Sequence, residues 1–194
     1  MNKLYIILAS IVGVFIIAQV LMSYKNQDIE TPTYKVIKTY DSFEIRQYDS
    51  MILAQTVIQE SSYKKSGSMG FRKIAGYIFG GNKQKQQIAM TAPVIMEFGD
   101  NTKMSFVMPR QYKIEDLPQP NSTEIKLIKE APKKFAALRF SGFASDEKIN
   151  RKKELLIEAL KKEQLKVIGE FSYLGYNAPW ELFGRRNEIA VEVE

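Results

Sequence analysis

The 194-residue chain contains no histidine and no cysteine. That removes thiol nucleophiles, imidazole bases, disulfides and every zinc site built from those ligands. A metal could be touched only by carboxylates, methionine, tyrosine, lysine, amides or backbone carbonyls, and an enzyme would have to work through Glu, Asp, Tyr or Lys. Three groups of residues stand out against that background. Phe71, Ile74, Ala75 and Ile78 recur at helical spacing and form one apolar stripe, with Arg72 and Lys73 lying off it. The segment Pro179-Trp180-Glu181-Leu182-Phe183-Gly184 sets large apolar groups between a proline and a glycine. That is the setting of a loop, where exposed apolar surface marks binding. Within it, Glu181 is a carboxylate beside an indole, a candidate for general acid–base work. Each group also has a plain structural reading: the stripe packs on a sheet, Arg185 and Arg186 line a solvated turn, and Glu181 is an exposed loop residue.

Methionine is a fourth candidate, since Met90, Met96, Met104 and Met108 fall in two neighbouring strands. Alternation along a strand turns most of them to the interior. Lys and Arg total 28 against 22 acidic residues, a net charge of +6, which favours anionic ligands, membrane surfaces or nucleic acid. No Arg-rich tract or Gly-aromatic signature accompanies that charge, so nucleic acid ranks last.

The elements that must position these residues are legible. Leu4 to Met22 is a run of 19 residues without a charge, bracketed by Lys3 and Lys25. At ~1.5 Å per residue it nearly matches a hydrocarbon core of ~30 Å. The run predicts a single-pass signal-anchor over residues 1–25, with the globular domain outside the cytoplasm. A cleaved signal peptide is the rival, though its apolar region is shorter. Residues 26–33 read as a polar linker ending near Pro32, and 34–194 as one domain. Tyr34–Thr39, Phe43–Tyr48 and Met51–Gln59 read as strands, and Ser61–Ser68 as a loop or frayed helix start. The striped helix follows, closed by Gly80 and Gly81. An apolar strand reaching Met96 and a strand over Lys103–Met108 come next.

After the irregular stretch Pro109–Ser122 the order repeats. Ile125–Lys129 and Phe135–Phe140 read as strands, then a helix runs from an N-cap at Ser145 to Gln164. Strands over Glu170–Tyr176 and Glu188–Val193 close the chain. Two strands, a helix and two strands thus occur twice, over about 34–109 and 123–194, and the phrase Ala92-Pro93 recurs as Ala178-Pro179. An internal duplication of this kind predicts an α+β fold, a closed or nearly closed antiparallel barrel with two helices outside.

The phrases GFRKIAGYIFGGNKQKQQIAMTAPV, MSFVMP, EDLPQPN and NAPWELFGRRNEIAV, with IETPTYKVIKTYDSFEIRQY ahead of them, resemble the SOUL haem-binding protein family in their expected order over Ile29 to Val193. The resemblance implies a distorted antiparallel barrel of two βαββ-type halves. It also implies a non-catalytic protein that binds haem b or another tetrapyrrole without a covalent bond, in a shallow apolar groove. Carried onto this sequence, the groove draws on Phe71, Ile74, Tyr77, Ile78, Met90, Pro179, Trp180, Leu182 and Phe183, with Arg72, Lys73, Arg185 and Arg186 pairing the propionates. Some family members have been credited with a histidine ligand, and this chain has none. Met90, Met96 or Tyr77 are the weak alternatives for iron, and no metal site is otherwise implied.

Two further readings differ in class. The twofold design also resembles effector-binding domains of multidrug-responsive regulators, some relatives of which are hydrolases using a pocket carboxylate. Glu181 would then point into an enclosed pocket. A membrane-tethered interaction domain with no small ligand predicts a filled interior and no groove.

Overall fold

Period-two patterning produces nine strands and helical patterning two long helices. In chain order these are β1 (Tyr34–Thr39), β2 (Glu44–Tyr48), β3 (Met51–Ile58), α1 (Tyr63–Ile78), β4 (Val94–Phe98), β5 (Thr102–Val107), β6 (Ile125–Glu130), β7 (Lys133–Ser141), α2 (Asp146–Lys162), β8 (Ser172–Gly175) and β9 (Arg186–Glu192). A computed structural model describes residues 5–14, 29–60 and 62–194.

The strands form one antiparallel sheet in the order β1-β2-β7-β9-β8-β4-β5-β3-β6. The element order repeats, running β2-β3-α1-β4-β5 and then β6-β7-α2-β8-β9. Each half gives its opening strand to the other: β2 pairs with β7, and β6 with β3. The halves meet where β4 pairs with β8. Tyr48 of β2 and Glu130 of β6 lie near opposite ends of the strand order yet line one cavity, so the sheet is curled. It remains an open half-barrel, because β1 and β6 are left as edges. The expected closure is corrected to that extent. The Ala-Pro phrase is corrected as well: Ala92-Pro93 leads into β4, whereas Ala178-Pro179 follows β8. The two dipeptides do not occupy equivalent places.

Alternation along the strands separates two faces. Ala136, Leu138 and Phe140 of β7, with Ile189 and Val191 of β9, join Ile74, Tyr77 and Ile78 of α1 and Ile149, Leu156 and Leu160 of α2 in one core. Each buried Leu, Ile, Val or Phe among these stabilises the fold by roughly 1.5–3 kcal/mol. The opposite, concave face carries Ala137, Leu174 and Ala190.

α1 begins at Tyr63, about two turns before the glycine-bounded stripe, so of the loop or frayed helix start expected there, residues 62–68 form the cap and first turns of the helix. Ser62 caps it, its hydroxyl accepting from Lys65 N, and the Tyr63 N–H donates to Asp146 Oδ1 of α2 at 2.6 Å. The start of this helix is fixed from the other half of the chain, which explains why local sequence hides it.

Residues 5–14 are helical with exposed side chains. Among the described residues no helix is long and apolar enough to cross a membrane. The anchor expected over 4–22 is therefore not supported by the described residues; residues 4 and 15–22 lie outside them.

A candidate ligand-binding surface

α1 presents its stripe to the sheet. Ile74 is 0% exposed, with Tyr77 and Ile78 at 1%, so these three are core residues and do not line a groove. The Tyr77 hydroxyl donates to the Pro118 carbonyl at 2.8 Å, and burial pushes its pKa up to about 12. A neutral phenol already bonded to a carbonyl is a poor iron ligand, and Met96 is likewise buried. Phe71 is half-buried with its ring 5.3 Å from that of Phe106. Toward solvent the helix turns Arg72 and, partly, Lys73, whose ammonium pairs with Glu124 at 2.6 Å. Met90, beyond the helix, is exposed.

The loop between β8 and β9 partitions its residues against the usual rule. Its apolar side chains point outward: Trp180 is 65% exposed and Phe183 59%, with Leu182 and Pro179 also exposed. Its charged residues turn inward. The Glu181 carboxylate is buried and accepts from Asn177 Nδ2 at 2.7 Å and Ala178 N at 2.8 Å. Arg185 Nη1 donates to the carbonyls of Ala178 at 3.0 Å and Glu181 at 2.5 Å. The loop is thus braced from within by polar groups that the sequence reading had offered to a ligand or to catalysis. The same guanidinium lies 4.7 Å over the ring of Phe143, another exposed aromatic, in the connection between β7 and α2. Phe143 escaped the sequence reading because it stands alone beside Gly142, and only the fold brings it to this loop.

Glu181 lines none of the three cavities described for the molecule. Its bonds fix the loop, which corrects its candidacy as a pocket acid. Residues 29–192 match the family model described as SOUL heme-binding protein.

The chain belongs to the SOUL family.

Among its relatives, "Heme-binding protein 2" of Mus musculus is 28% identical over 179 residues, covering 85% of this chain and 86% of the relative. "Heme-binding protein 1" of Xenopus laevis is 23% identical over 156 residues, covering 76% and 82%. The SOUL fold is shared more widely. The EcmrR C-terminal domain superposes with a TM-score of 0.63 at 8% identity, covering 83% of this chain and 98% of that one. A hydrolase from Listeria innocua gives 0.59 at 8% identity, over 81% and 94%. At that identity both show the fold alone.

The fourth basic residue expected at the propionates has another partner. In this SOUL domain Arg186 donates through Nε and Nη2 to Glu188 Oε1 at 3.0 and 2.8 Å. Arg46 of β2 donates through Nη1 to Glu188 Oε2 at 2.7 Å, and Tyr176 OH to the same oxygen at 3.0 Å. Glu188 is wholly buried. Burial alone would raise its pKa, but hydrogen bonds and charge from Arg46 and Arg186 outweigh that and hold it below the ordinary carboxylate value. Burial pushes the Tyr176 hydroxyl up, and the Glu188 charge adds to the effect. This cluster joins β2 of the first half to β9 of the second, a structural clasp that the sequence reading missed because its partners are 142 residues apart.

Proposed function

We propose that this SOUL domain binds haem b or another tetrapyrrole reversibly and non-covalently, without catalysis. The docking surface would be the outward apolar side of the β8–β9 loop, with the exposed edge of α1. The observation that supports this reading is the inverted loop, which buries Glu181 and presents Trp180, Leu182 and Phe183 to water. Covering such groups with a flat apolar ring stabilises the complex by roughly 25 cal/mol per Å² removed from water. Arg72 and Lys73 would orient the propionates, exposed pairs of this kind contributing about 0–1 kcal/mol. Arg185 and Arg186 would act through their charge, since Arg185 Nη1 already serves the loop carbonyls, Arg185 Nε is buried, and Arg186 Nε and Nη2 serve Glu188. Of Met90, Met96 and Tyr77, only the Met90 thioether reaches solvent, so it is the atom at hand for iron. A bound haem would supply redox or ligand-binding chemistry; the residues here hold the ring and its charge.

Trp180 is the only tryptophan, so its fluorescence reports the site. Titration of the full chain with haem and with iron-free protoporphyrin should quench it saturably, at similar concentrations if the ring is what is recognised. Phe183→Asp should weaken binding, read by porphyrin absorbance, with the fold intact. Absence of saturation would remove the ligand, and unchanged affinity in Phe183→Asp would remove the loop. Ile78→Asp is no test here, because a buried carboxylate at that position would unfold the domain.

The uncharged run from Leu4 to Met22 supports a further proposal, that the domain is tethered to a membrane and faces away from the cytoplasm. Fractionation with protease protection tests it; release of the full chain by salt alone would count against a spanning tether.

A further inference from the structure

The tetrapyrrole surface leaves the concave face of the sheet unused, and that face is not filled. Its centre is paved by Leu53, Ile95, Leu174 and Ala190, and a cavity of about 140 Å³ stands over them. The reason lies in side-chain size: where the opposite face carries Tyr173, Met104 and Ile189, this one carries Ser172, Ser105 and Ala190. A second cavity of about 530 Å³ adjoins the first, the two sharing Pro32 and Met51 as walls. The larger one falls within the roughly 300–1,000 Å³ of small-molecule sites.

Polar groups in the first cavity are few and placed. Gln55 Nε2 donates to Ser105 Oγ at 3.0 Å, leaving the Gln55 carbonyl oxygen as an acceptor. Ser172 is 7% exposed and lines the cavity, and its hydroxyl has no hydrogen-bond partner among the described residues. That hydroxyl opens onto the cavity, where it can donate to or accept from a bound molecule. Charge around the rim is unbalanced. Glu97, Glu130, Glu170 and Glu192 line the cavity against one cation, Lys133. Lys133 is shared between Glu130 at 3.2 Å and Glu192 at 3.1 Å, and Glu97 pairs outward with Lys103. The basic protein as a whole attracts anions; this one trough does not.

We propose that the concave trough binds an amphipathic cation, an elongated apolar body carrying an ammonium-type head. The body lies over Leu53, Ile95 and Leu174, the head sits among the rim carboxylates, and Ser172 and Gln55 supply the polar contacts. The site is separate from Trp180, which lines neither cavity, so it does not depend on the tetrapyrrole reading.

The test is a calorimetric titration of the full chain with decyltrimethylammonium and with decanesulfonate, each below its micellar concentration. They share an apolar body and differ in the sign of the head. The cation should bind saturably, about tenfold or more tightly than the sulfonate. Ser172→Phe should fill the trough and abolish that binding. Glu97→Gln with Glu170→Gln, both on the rim, should weaken it about threefold with unchanged thermal stability. The paired variant decides the matter if Ser172→Phe fails to fold. Protoporphyrin quenching of Trp180 should be unaffected by saturating cation. Equal binding of the two amphiphiles, or cation binding indifferent to the rim variant, overturns the proposal. Displacement of porphyrin by the cation would overturn the separate site and move the tetrapyrrole into the trough.

Discussion

α1 and α2 hold equivalent places in the two halves and are secured by different means. α2 carries its own signals: Ser145 caps it, Asp146 and Glu147 stand in its first turn, and Lys161 and Lys162 in its last, each matched to the helix dipole. α1 has neither acid at its start nor base at its end. It also contains Gly67, Gly70 and Gly76, each unfavourable by roughly 1 kcal/mol relative to alanine in a helix. What holds α1 comes from elsewhere. Asp146 of α2 accepts its first N–H, and its inner face buries Ile74, Tyr77 and Ile78 completely or nearly so. A helix secured by distant contacts is free to use its outer face for something other than its own stability.

If both helices depend on a common frame, the largest effect should come from breaking the clasp between the halves. Glu188→Ala leaves Arg46 buried beside Arg186, and removing one partner of a buried pair costs about 3–5 kcal/mol. Urea unfolding followed by circular dichroism and by Trp180 fluorescence should shift together. Two separated transitions would show that the halves stand alone. The same carboxylate sets an acid limb. Its folded pKa lies below its ordinary value of 4.5, so its stabilisation is complete above about that pH and is lost as pH falls through the folded value. Glu188→Gln should flatten the stability profile on the acid side and leave its shape near neutrality unchanged.

The next effect separates the helices. A Cβ at Gly70 would collide with Ile58 Cδ1 and come within 2.8 Å of Met104 Sδ, because α1 lies close against β3 and β5. Gly70→Ala should therefore destabilise the domain by about 1–3 kcal/mol, as overpacking does, despite the better helix propensity. A stabilised Gly70→Ala, measured by urea midpoint, would mean that the close approach is not required.

These contrasts explain what could be read from sequence. The boundaries of α2 were legible because Ser145, Asp146 and the terminal lysines act locally. The repeated element order was legible, and family membership from phrases spread over the whole domain. The first two turns of α1 were not, since Ser62 and a carboxylate 83 residues away fix them. The candidate site divides in the same way. The exposure of Trp180 and Phe183 was legible because aromatics between proline and glycine are a local loop signal. Ile74 and Ile78 turned out to be core because a periodic stripe reports that a face is apolar, not whether sheet or ligand covers it, and Tyr77, placed at the groove by resemblance alone, is buried with them. The Arg46–Glu188 clasp and the trough needed strand register, which sets apart residues from eight strands.

A smaller effect tests the cap supplied by α2. Asp146→Ala removes the acceptor of the Tyr63 N–H and should cost about 1 kcal/mol, the usual scale for a lost cap. Glu147→Ala removes only a charge in the first turn of α2 and should cost about 0.3–1 kcal/mol. Hydrogen exchange distinguishes the two: Asp146→Ala should speed exchange at the start of α1 as well as of α2, and Glu147→Ala at α2 alone. Equal acceleration of α1 by both variants would remove the cross-helix cap.

The smallest effect runs in the opposite direction. Gly76 is exposed on α1, and a Cβ there meets nothing within 4 Å. Its φ is not among the positive values that favour glycine. With neither packing nor backbone geometry requiring glycine, Gly76→Ala should stabilise the domain by about 0.5–1 kcal/mol through reduced freedom of the unfolded chain, seen as a raised melting temperature. Opposite signs at Gly70 and Gly76, six residues apart on one helix, would show that the inner face of α1 is set by the sheet and its outer face by propensity alone. A loss of stability at Gly76 would instead mean that the outer face is covered in solution, and that whatever covers it competes for the edge where Arg72 is proposed to meet a ligand.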